Sequence, residues 1–187
     1  GRRPVVIAGG YYPSLKGRDV LTRYPGFDYL VRGEGEHTLV ELLARLQEPA
    51  AIAGVISHRS EGPRRPPISE LDALGELDFH HCDEPPRAEE LRLVTRRDCS
   101  AACSYCPIGA LWGRYQHWRG HSARWVVDQL ERLVRDRGAS YVQLVDDQFV
   151  GTPESIERAW EIAALMRDRG LRVPFYFMSR VDTVCAH

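Results

Sequence analysis

The chain reads Asp98-Cys99-Ser100-Ala101-Ala102-Cys103-Ser104-Tyr105-Cys106-Pro107 near its middle, a C-x3-C-x2-C triplet with an aromatic residue before the last cysteine. Three thiolates on one short loop can ligate three irons of a four-iron, four-sulfur cluster and leave the fourth iron open to a small molecule. Zinc sites usually pair such cysteines with a second pair of Cys or His ligands, and no second pair is evident in the sequence. The triplet therefore favours a 4Fe-4S cluster held by Cys99, Cys103 and Cys106.

Two other kinds of site stay open for the triplet. One is a cluster that only relays electrons, and the other is a zinc ion with His117 or His121 as the fourth ligand. These histidines lie four residues apart, but Gly120 between them disfavours the helix that would bring them to one face. The run His80-His81-Cys82 has no fourth ligand in view, so we interpret it as solvated or packing side chains.

Composition fits an intracellular enzyme. The chain has 187 residues, of which 43% are hydrophobic, and its 25 basic and 26 acidic residues give a net charge of −1. No basic run indicates a nucleic-acid partner, and no apolar stretch approaches the roughly 18 residues of a membrane span. Clustered cysteines in such a chain favour a reducing compartment, so we expect a cytoplasmic protein. Because it begins with Gly1 and stops at His187 without a turn signal, we expect a fragment of a longer protein.

Residues 1–60 predict an α/β layer. An apolar run over residues 5–8 ends at Gly9-Gly10, as is typical of a buried strand that enters a tight loop. The apolar spacing then predicts strands over residues 27–32 and 52–58 and a helix over residues 37–47. The predicted order is strand, loop, strand, helix, strand.

Residues 61–90 are rich in proline and charge, which is typical of a linker. Leu71, Leu74, Leu77 and Phe79 are large apolar residues that a disordered tether would rarely carry. We therefore predict an ordered linker between two domains.

Residues 91–187 alternate strands with helices. Ser122 is a predicted N-cap for a helix that ends near Gly138, and Thr152-Pro153 opens a second helix that ends at Gly170. Strands are predicted over residues 91–95, 141–145 and 173–178. Repeated βα units imply parallel strands, whose carboxyl ends collect reactive groups.

The cysteine loop, Asp146-Asp147 and Ser179-Arg180 each follow one of these strands. We therefore expect them to share one edge of the sheet, independently of the cysteine spacing.

The cysteine spacing, with Tyr105 before the third cysteine, resembles the cluster motif of the radical S-adenosylmethionine (radical SAM) enzymes. The resemblance implies that the open iron binds S-adenosylmethionine and that cleavage of this cofactor gives a 5'-deoxyadenosyl radical. It also implies that residues 91–187 are the first half of a partial (β/α)6 barrel. Asp146 or Asp147 would bind the amino group of the cofactor, and Arg180 would pair either with its carboxylate or with Asp182. The resemblance also implies that Tyr105 contacts the cofactor.

The upstream segment resembles the later half of the cobalamin-binding domain that precedes many radical SAM cores, a flavodoxin-like or Rossmann-like α/β fold. Gly9 and Gly10 would line the nucleotide tail, because glycine permits close approach. The run Gly33-Glu34-Gly35-Glu36 also resembles part of that cobalamin-binding domain. The family's D-x-H-x-x-G loop does not occur in the sequence, and we expect it before Gly1.

The resemblance implies a cobalamin-dependent enzyme that transfers a methyl group to an unactivated carbon, or a cyclase. Its substrate would be a small molecule, lipid or peptide, and a flavodoxin or ferredoxin would supply electrons. Two alternatives are a cobalamin-independent radical SAM enzyme, similar to a methylthiotransferase, and a non-catalytic iron–sulfur or zinc module.

Overall fold

The computed structural model describes residues 3–76, 90–112 and 118–185. The chain divides into two compact units, Gly1–Ile68 with Cys103–Gly113, and Ser69–Ala102 with Arg114–His187. Each unit has its own sheet and its own apolar core. The domain limits after residues 60 and 90 stay a prediction.

The first unit is built on a three-stranded sheet in the order β1-β2-β3. Strand β1 pairs with β2 in parallel, and β2 pairs with β3 in antiparallel orientation. The elements are β1 (Ile7–Ala8), α1 (Tyr11–Lys16), α2 (Arg18–Arg23), β2 (Tyr29–Val31), α3 (Glu36–Ala44), a 3-10 helix (Pro49–Ala51) and β3 (Val55–Ser57). Helix α4 (Pro107–Trp112) also belongs to this unit.

The predicted α/β class is confirmed, but the connection between β1 and β2 is not the loop that we expected. It contains α1 and α2. Val20 and Leu21 of α2 are buried against Leu30 of β2 and Ile56 of β3. Packing on the sheet therefore stabilises a helix that is too short to be stable alone or to show a clear apolar period.

The second unit is built on three parallel strands in the order β4-β7-β8. A small antiparallel pair, β5 and β6, lies beside the cysteine segment in sequence. The elements are β4 (Glu90–Leu93), β5 (Arg96–Arg97), β6 (Arg119–Gly120), α5 (Ala123–Arg137), β7 (Tyr141–Leu144), α6 (Pro153–Asp168), β8 (Phe175–Phe177) and α7 (Val181–Cys185). The predicted repeat of parallel βα units is confirmed.

Helices α5 and α6 begin where their capping residues predict. The Ser122 hydroxyl accepts a hydrogen bond from the amide of Trp125, and α5 ends at Gly138, whose φ of 69° is left-handed. Thr152 and Ser155 form a capping box at the start of α6. The apolar faces of both helices pack on the sheet, around Val126, Leu130 and Ile162, each at most 2% exposed.

The structure describes part of the proline-rich segment over residues 61–90, and the role of this segment as an ordered linker stays a prediction. Residues Leu71–Leu74 form a 3-10 helix, and the Leu71 side chain is 1% exposed. Residues 77–89, which include Phe79 and the run His80-His81-Cys82, lie outside the described residues. In the described ranges, no helix combines the length and the hydropathy that a membrane crossing requires.

Candidate functional site

Three segments lie at the carboxyl edge of the β4-β7-β8 sheet, as predicted. The amide of Val145 after β7 donates to the carbonyl of Leu93 at the end of β4 over 2.9 Å. The amide of Phe149 donates to the carbonyl of Met178 after β8 over 2.8 Å, and the Ser179 hydroxyl donates to the carbonyl of Val150. Because the strands are parallel, the segments that follow them meet at this edge.

Asp146 is buried at this edge, with 1% of its surface exposed. Its carboxylate accepts hydrogen bonds from the amide of Thr95 (2.6 Å), the hydroxyl of Thr95 (2.5 Å) and the amide of Arg96 (3.0 Å). Both carboxylate oxygens are thereby used to connect the end of β7 to the end of β4. This geometry gives Asp146 a structural role.

Asp147 is exposed and takes part in interactions of its own. Of the two aspartates that the sequence singled out, it is the one that solvent can reach. We therefore predict that Asp147, rather than Asp146, is the carboxylate that would bind the amino group of S-adenosylmethionine.

Arginine side chains are buried below the segment that leads to Cys99. Arg158 of α6 is 4% exposed and donates to the carbonyls of Thr95 (3.0 Å) and His121 (3.1 Å). Burial lowers the pKa of Arg158 to about 10, although the negative charge of Asp146 raises it. Arg158 is therefore a cation at neutral pH. Arg96 is 2% exposed, and burial lowers its pKa while Asp146 opposes the shift.

Asp98, next to the first cysteine, has a left-handed backbone with φ of 71°. Its carboxylate is 4% exposed and pairs with Nε of Arg119 on β6 at 2.6 Å. A left-handed conformation is unfavourable for most residues, and aspartate tolerates it better than bulkier ones. The buried ion pair thus fixes the backbone turn at Asp98, directly before Cys99. No local pattern in the sequence marks Asp98 and Arg119 as partners.

The Cys99 thiol is partly buried and lies within hydrogen-bond distance of Gln148, which follows the aspartate pair. Its Sγ is 3.3 Å from Gln148 Oε1, and it accepts from the amide of Ala101 at 3.4 Å. The second unit therefore orients Cys99 from the neighbouring strand end.

Cys103 and Cys106 belong to the first unit. Cys103 is exposed and Cys106 is partly buried, and the amide of Cys106 donates to the carbonyl of Cys103 over 3.2 Å in a tight turn. Tyr105 between them is 88% exposed. Its predicted contact with the cofactor stays a prediction.

The three cysteines suit an iron–sulfur cluster by their chemistry. Each is a free thiol, and thiolates are the ligands that iron–sulfur clusters and zinc prefer. Within residues 3–76, 90–112 and 118–185, no three side chains of His, Cys, Asp or Glu form a group that could hold a metal ion. The case for the cluster therefore rests on the spacing of the cysteines and on their free thiols.

Arg180 pairs with Asp182, one of the two roles that the sequence left open. Its Nε lies 3.0 Å from one carboxylate oxygen of Asp182, and its Nη2 lies 2.6 Å from the other. Both side chains are more than half exposed. A contact with the methionyl carboxylate would compete with this exposed ion pair.

Gly9 and Gly10 follow β1 in the first unit, where a nucleotide loop is predicted, and both are exposed. Gly10 has φ of 93°, which favours glycine. Its carbonyl accepts from the Ser14 hydroxyl over 2.7 Å, and the same hydroxyl accepts from the amide of Gly33 over 2.9 Å. Ser14 thus ties the two predicted glycine loops together, and contact with cobalamin stays a prediction.

The first unit also contains a cavity of about 580 Å³ that the sequence did not indicate. Asp28, Tyr29, Ser57 and His58 contribute to its lining. Tyr29 begins β2 and Ser57 ends the antiparallel β3, so the cavity lies at the opposite edge of the sheet from Gly9 and Gly10.

His121, one of the two candidate zinc ligands, packs inside the second unit. Its Nδ1 lies 2.9 Å from Asp72 Oδ1, and its ring stacks on Trp125 at a centroid distance of 3.5 Å. Burial lowers the pKa of His121 despite Asp72, so the ring is neutral at pH 7. The other candidate, His117, lies outside the described residues.

Solved structures share the fold of this chain. A cobalamin-dependent S-adenosylmethionine radical enzyme, OxsB, with aqua-cobalamin and S-adenosylmethionine bound, superposes with a TM-score of 0.73 at 21% identity, over 96% of this chain and 26% of OxsB. The chain has the fold of the cobalamin-dependent radical SAM enzymes. The radical SAM methyltransferase TsrM from Kitasatospora setae, with cobalamin and a [4Fe-4S] cluster bound, gives a TM-score of 0.61 at 21% identity, over 90% of this chain and 35% of TsrM. The resemblance predicted from the sequence is confirmed.

The sequence is also similar to that of a methyltransferase and of cyclases. An uncharacterised methyltransferase of Pyrococcus horikoshii is 28% identical over 95% of this chain. The anaerobic magnesium-protoporphyrin IX monomethyl ester cyclase of Synechocystis is 26% identical over 76% of the chain. The chain spans 40% of the methyltransferase and 30% of the cyclase. No protein-family model matches it.

Proposed function

We propose that this chain is the cluster-binding part of a cobalamin-dependent radical SAM enzyme. The observation that carries the proposal is the Cys99, Cys103 and Cys106 triplet, which follows β4 in a chain with the fold of that enzyme group. A cluster with one open iron would, when bound and reduced, supply the electron that cleaves S-adenosylmethionine to methionine and a 5'-deoxyadenosyl radical, and cobalamin would carry the methyl group in the full-length protein.

The residues of the chain have separate roles in this proposal. The three thiolates hold the cluster, and Asp147 orients the amino group of S-adenosylmethionine through a charge-assisted hydrogen bond. Tyr105 and Arg180 contribute to the cofactor pocket, and Gly9 and Gly10 border the cobalamin tail. Asp146 keeps the strand ends in register through Thr95, and so positions Asp147 beside it in sequence.

Methyl transfer to an unactivated carbon is the reaction that we propose. TsrM is a radical SAM methyltransferase, and the Pyrococcus relative is an uncharacterised methyltransferase. The cyclase relatives of Synechocystis and Rubrivivax gelatinosus favour cyclisation as a second candidate. The proposal also includes a small-molecule, lipid or peptide substrate and a flavodoxin or ferredoxin as electron donor. We further propose a cytoplasmic location.

Anaerobic reconstitution tests the cluster directly. We expect about four irons and four sulfides per chain and no zinc. In the full-length protein, dithionite and S-adenosylmethionine should then yield 5'-deoxyadenosine. One zinc without sulfide would contradict the proposal and indicate the non-catalytic module. Deoxyadenosine formation without any cobalamin bound by the full-length protein would indicate the cobalamin-independent enzyme instead.

A further inference from the structure

Gln148 is a buried polar residue that the proposed chemistry does not use. It lies in the connection between β7 and α6, and its side chain is 2% exposed. Within the described part of the chain, its amide nitrogen has no hydrogen-bond partner. A buried amide with an unsatisfied donor is destabilising, so a reason for its presence is needed.

The amide oxygen of Gln148 is directed at the cysteine loop. It accepts from the amide of Ser100 over 3.1 Å and from the hydroxyl of Ser100 over 2.9 Å, and the Cys99 Sγ lies at 3.3 Å. A carbonyl oxygen has two lone pairs, whereas three donors surround this one. A metal-bound cysteine is a thiolate without an S–H donor. Ligation of Cys99 would therefore leave two donors, both from Ser100, for the two lone pairs.

The surrounding backbone is shaped to admit this amide. A Cβ at Gly151 would lie 2.3 Å from Nε2 of Gln148 and 2.6 Å from Oε1, well inside contact distance. The amide of Gly151 donates to the Ser155 hydroxyl over 2.9 Å, and Ser155 belongs to the capping box of α6. The start of α6 thus fixes Gly151, and Gly151 makes room for Gln148.

We propose that Gln148 is a positioning residue for the cluster. Its amide oxygen holds Ser100 from the neighbouring strand end and thereby presets Cys99 for metal binding. This inference rests on the proposed function, because it concerns the same cysteine loop.

Substitution of Gln148 by Leu tests the inference, with Gln129→Leu as the matched control. Gln129 is also a glutamine that is 2% exposed in the second unit, but it lies on α5. In the metal-free chain, hydrogen exchange of the Ser100 amide should become about tenfold faster in Gln148→Leu, because one hydrogen bond is lost. In the reconstituted chain, iron loss to a chelator should become faster by about the same factor. Gln129→Leu should change neither rate.

Two further variants separate positioning from general packing. Gln148→Glu keeps an acceptor oxygen, so the protection of the Ser100 amide should return to the parent value. Ser100→Ala removes the hydroxyl of an exposed residue and should speed iron loss by roughly threefold, since the backbone hydrogen bond remains. If Gln148→Leu does not fold, Ser100→Ala decides the question, and iron loss at the parent rate would overturn the inference.

The possible failures are distinguishable. If the parent chain takes up iron and sulfide but Gln148→Leu holds the cluster as long as Gln129→Leu does, the inference is wrong and the proposed function stands. If the parent chain takes up no iron, the proposed function is wrong and the inference falls with it.

Discussion

Thr95, after strand β4, and Asp146, after strand β7, are joined by two hydrogen bonds. The Thr95 amide donates to Asp146 Oδ1 over 2.6 Å, and the Thr95 hydroxyl donates to Oδ2 over 2.5 Å. Hydrogen bonds to a buried charged group are among the stronger ones in proteins. This connection holds the segment before Cys99 against the segment before Asp147, and of the two adjacent aspartates it uses the carboxylate of Asp146.

Asp146→Asn should destabilise the chain, because the amide group cannot accept from both Thr95 donors. We expect a loss of about 2 kcal/mol in the free energy of unfolding, or roughly 4–8 °C in melting temperature. Calorimetry or thermal circular dichroism measures this shift. Asp136→Asn, at an exposed aspartate of α5, is the control and should stay within about 2 °C. Equal shifts in the two variants would remove Asp146 from the structural role.

Asp147→Asn should leave iron content and melting temperature unchanged in the full-length protein, because the side chain is exposed. Affinity for S-adenosylmethionine should fall about tenfold to a hundredfold, since a charge-assisted hydrogen bond is lost. Equilibrium binding and 5'-deoxyadenosine formation at subsaturating cofactor measure this loss. Asp168→Asn, at an exposed aspartate of α6, is the control. Normal deoxyadenosine formation by Asp147→Asn would exclude Asp147 as the amino-group ligand.

Replacement of Cys99, Cys103 or Cys106 by Ala should abolish the cluster, because three thiolates are needed for three of its irons. Cys185→Ala should retain it, since Cys185 is an exposed thiol on α7 outside the triplet. Iron and sulfide analysis and the visible absorbance after reconstitution measure both outcomes. Loss of the cluster in Cys185→Ala with retention in a triplet variant would show that the ligand assignment is wrong.

Asp98→Gly sets two effects against each other. Glycine relieves the left-handed backbone at φ of 71° by about 1 kcal/mol, but it removes the carboxylate that pairs with the buried Arg119. Loss of one partner of a buried ion pair destabilises by about 3–5 kcal/mol, so the variant should be less stable than the parent by about 2–4 kcal/mol. Urea unfolding measures the difference. An increase in stability would show that backbone strain outweighs the ion pair.

Acidification should destabilise the chain through His121. Burial lowers the pKa of His121 from its ordinary value of 6.5, and Arg97 and Arg158 lower it further, while Asp72 opposes them. His121 therefore binds a proton more readily in the unfolded chain than in the folded one. Its contribution to the free energy of unfolding is complete above about pH 6.5 and declines as the pH falls below that value. The pKa of Asp72 is itself lowered from 3.8, by hydrogen bonds that outweigh its burial, so its contribution is lost only at more acidic pH.

Melting temperatures between pH 7 and pH 5 measure this decline. His121→Asn, which cannot take up the proton, should flatten the curve, whereas His37→Asn, at an exposed histidine, should not. A His121→Asn curve as steep as that of the parent would assign the pH dependence to other groups.

The cysteine triplet, the α/β class and the ends of α5 and α6 could be predicted from the sequence alone. These features depend on neighbours along the chain: the spacing of ligands on one loop, the apolar period of a helix, and the hydroxyl that caps it. Ser122 and Thr152 could be assigned because a capping hydroxyl bonds to an amide only three residues away.

The polar residues that support the cysteine loop could be identified only from the folded chain. Thr95 and Asp146 are 51 residues apart in sequence, Ser100 and Gln148 are 48 apart, and the buried Arg158 bonds to Thr95 across 63 residues. No local pattern marks such pairs, because their hydrogen bonds form only when parallel strands bring distant segments to one edge. Burial then separates Asp146 from Asp147, two identical neighbours in sequence, because the Asp146 carboxylate bonds to Thr95 and Arg96 at the buried strand end while Asp147 is exposed.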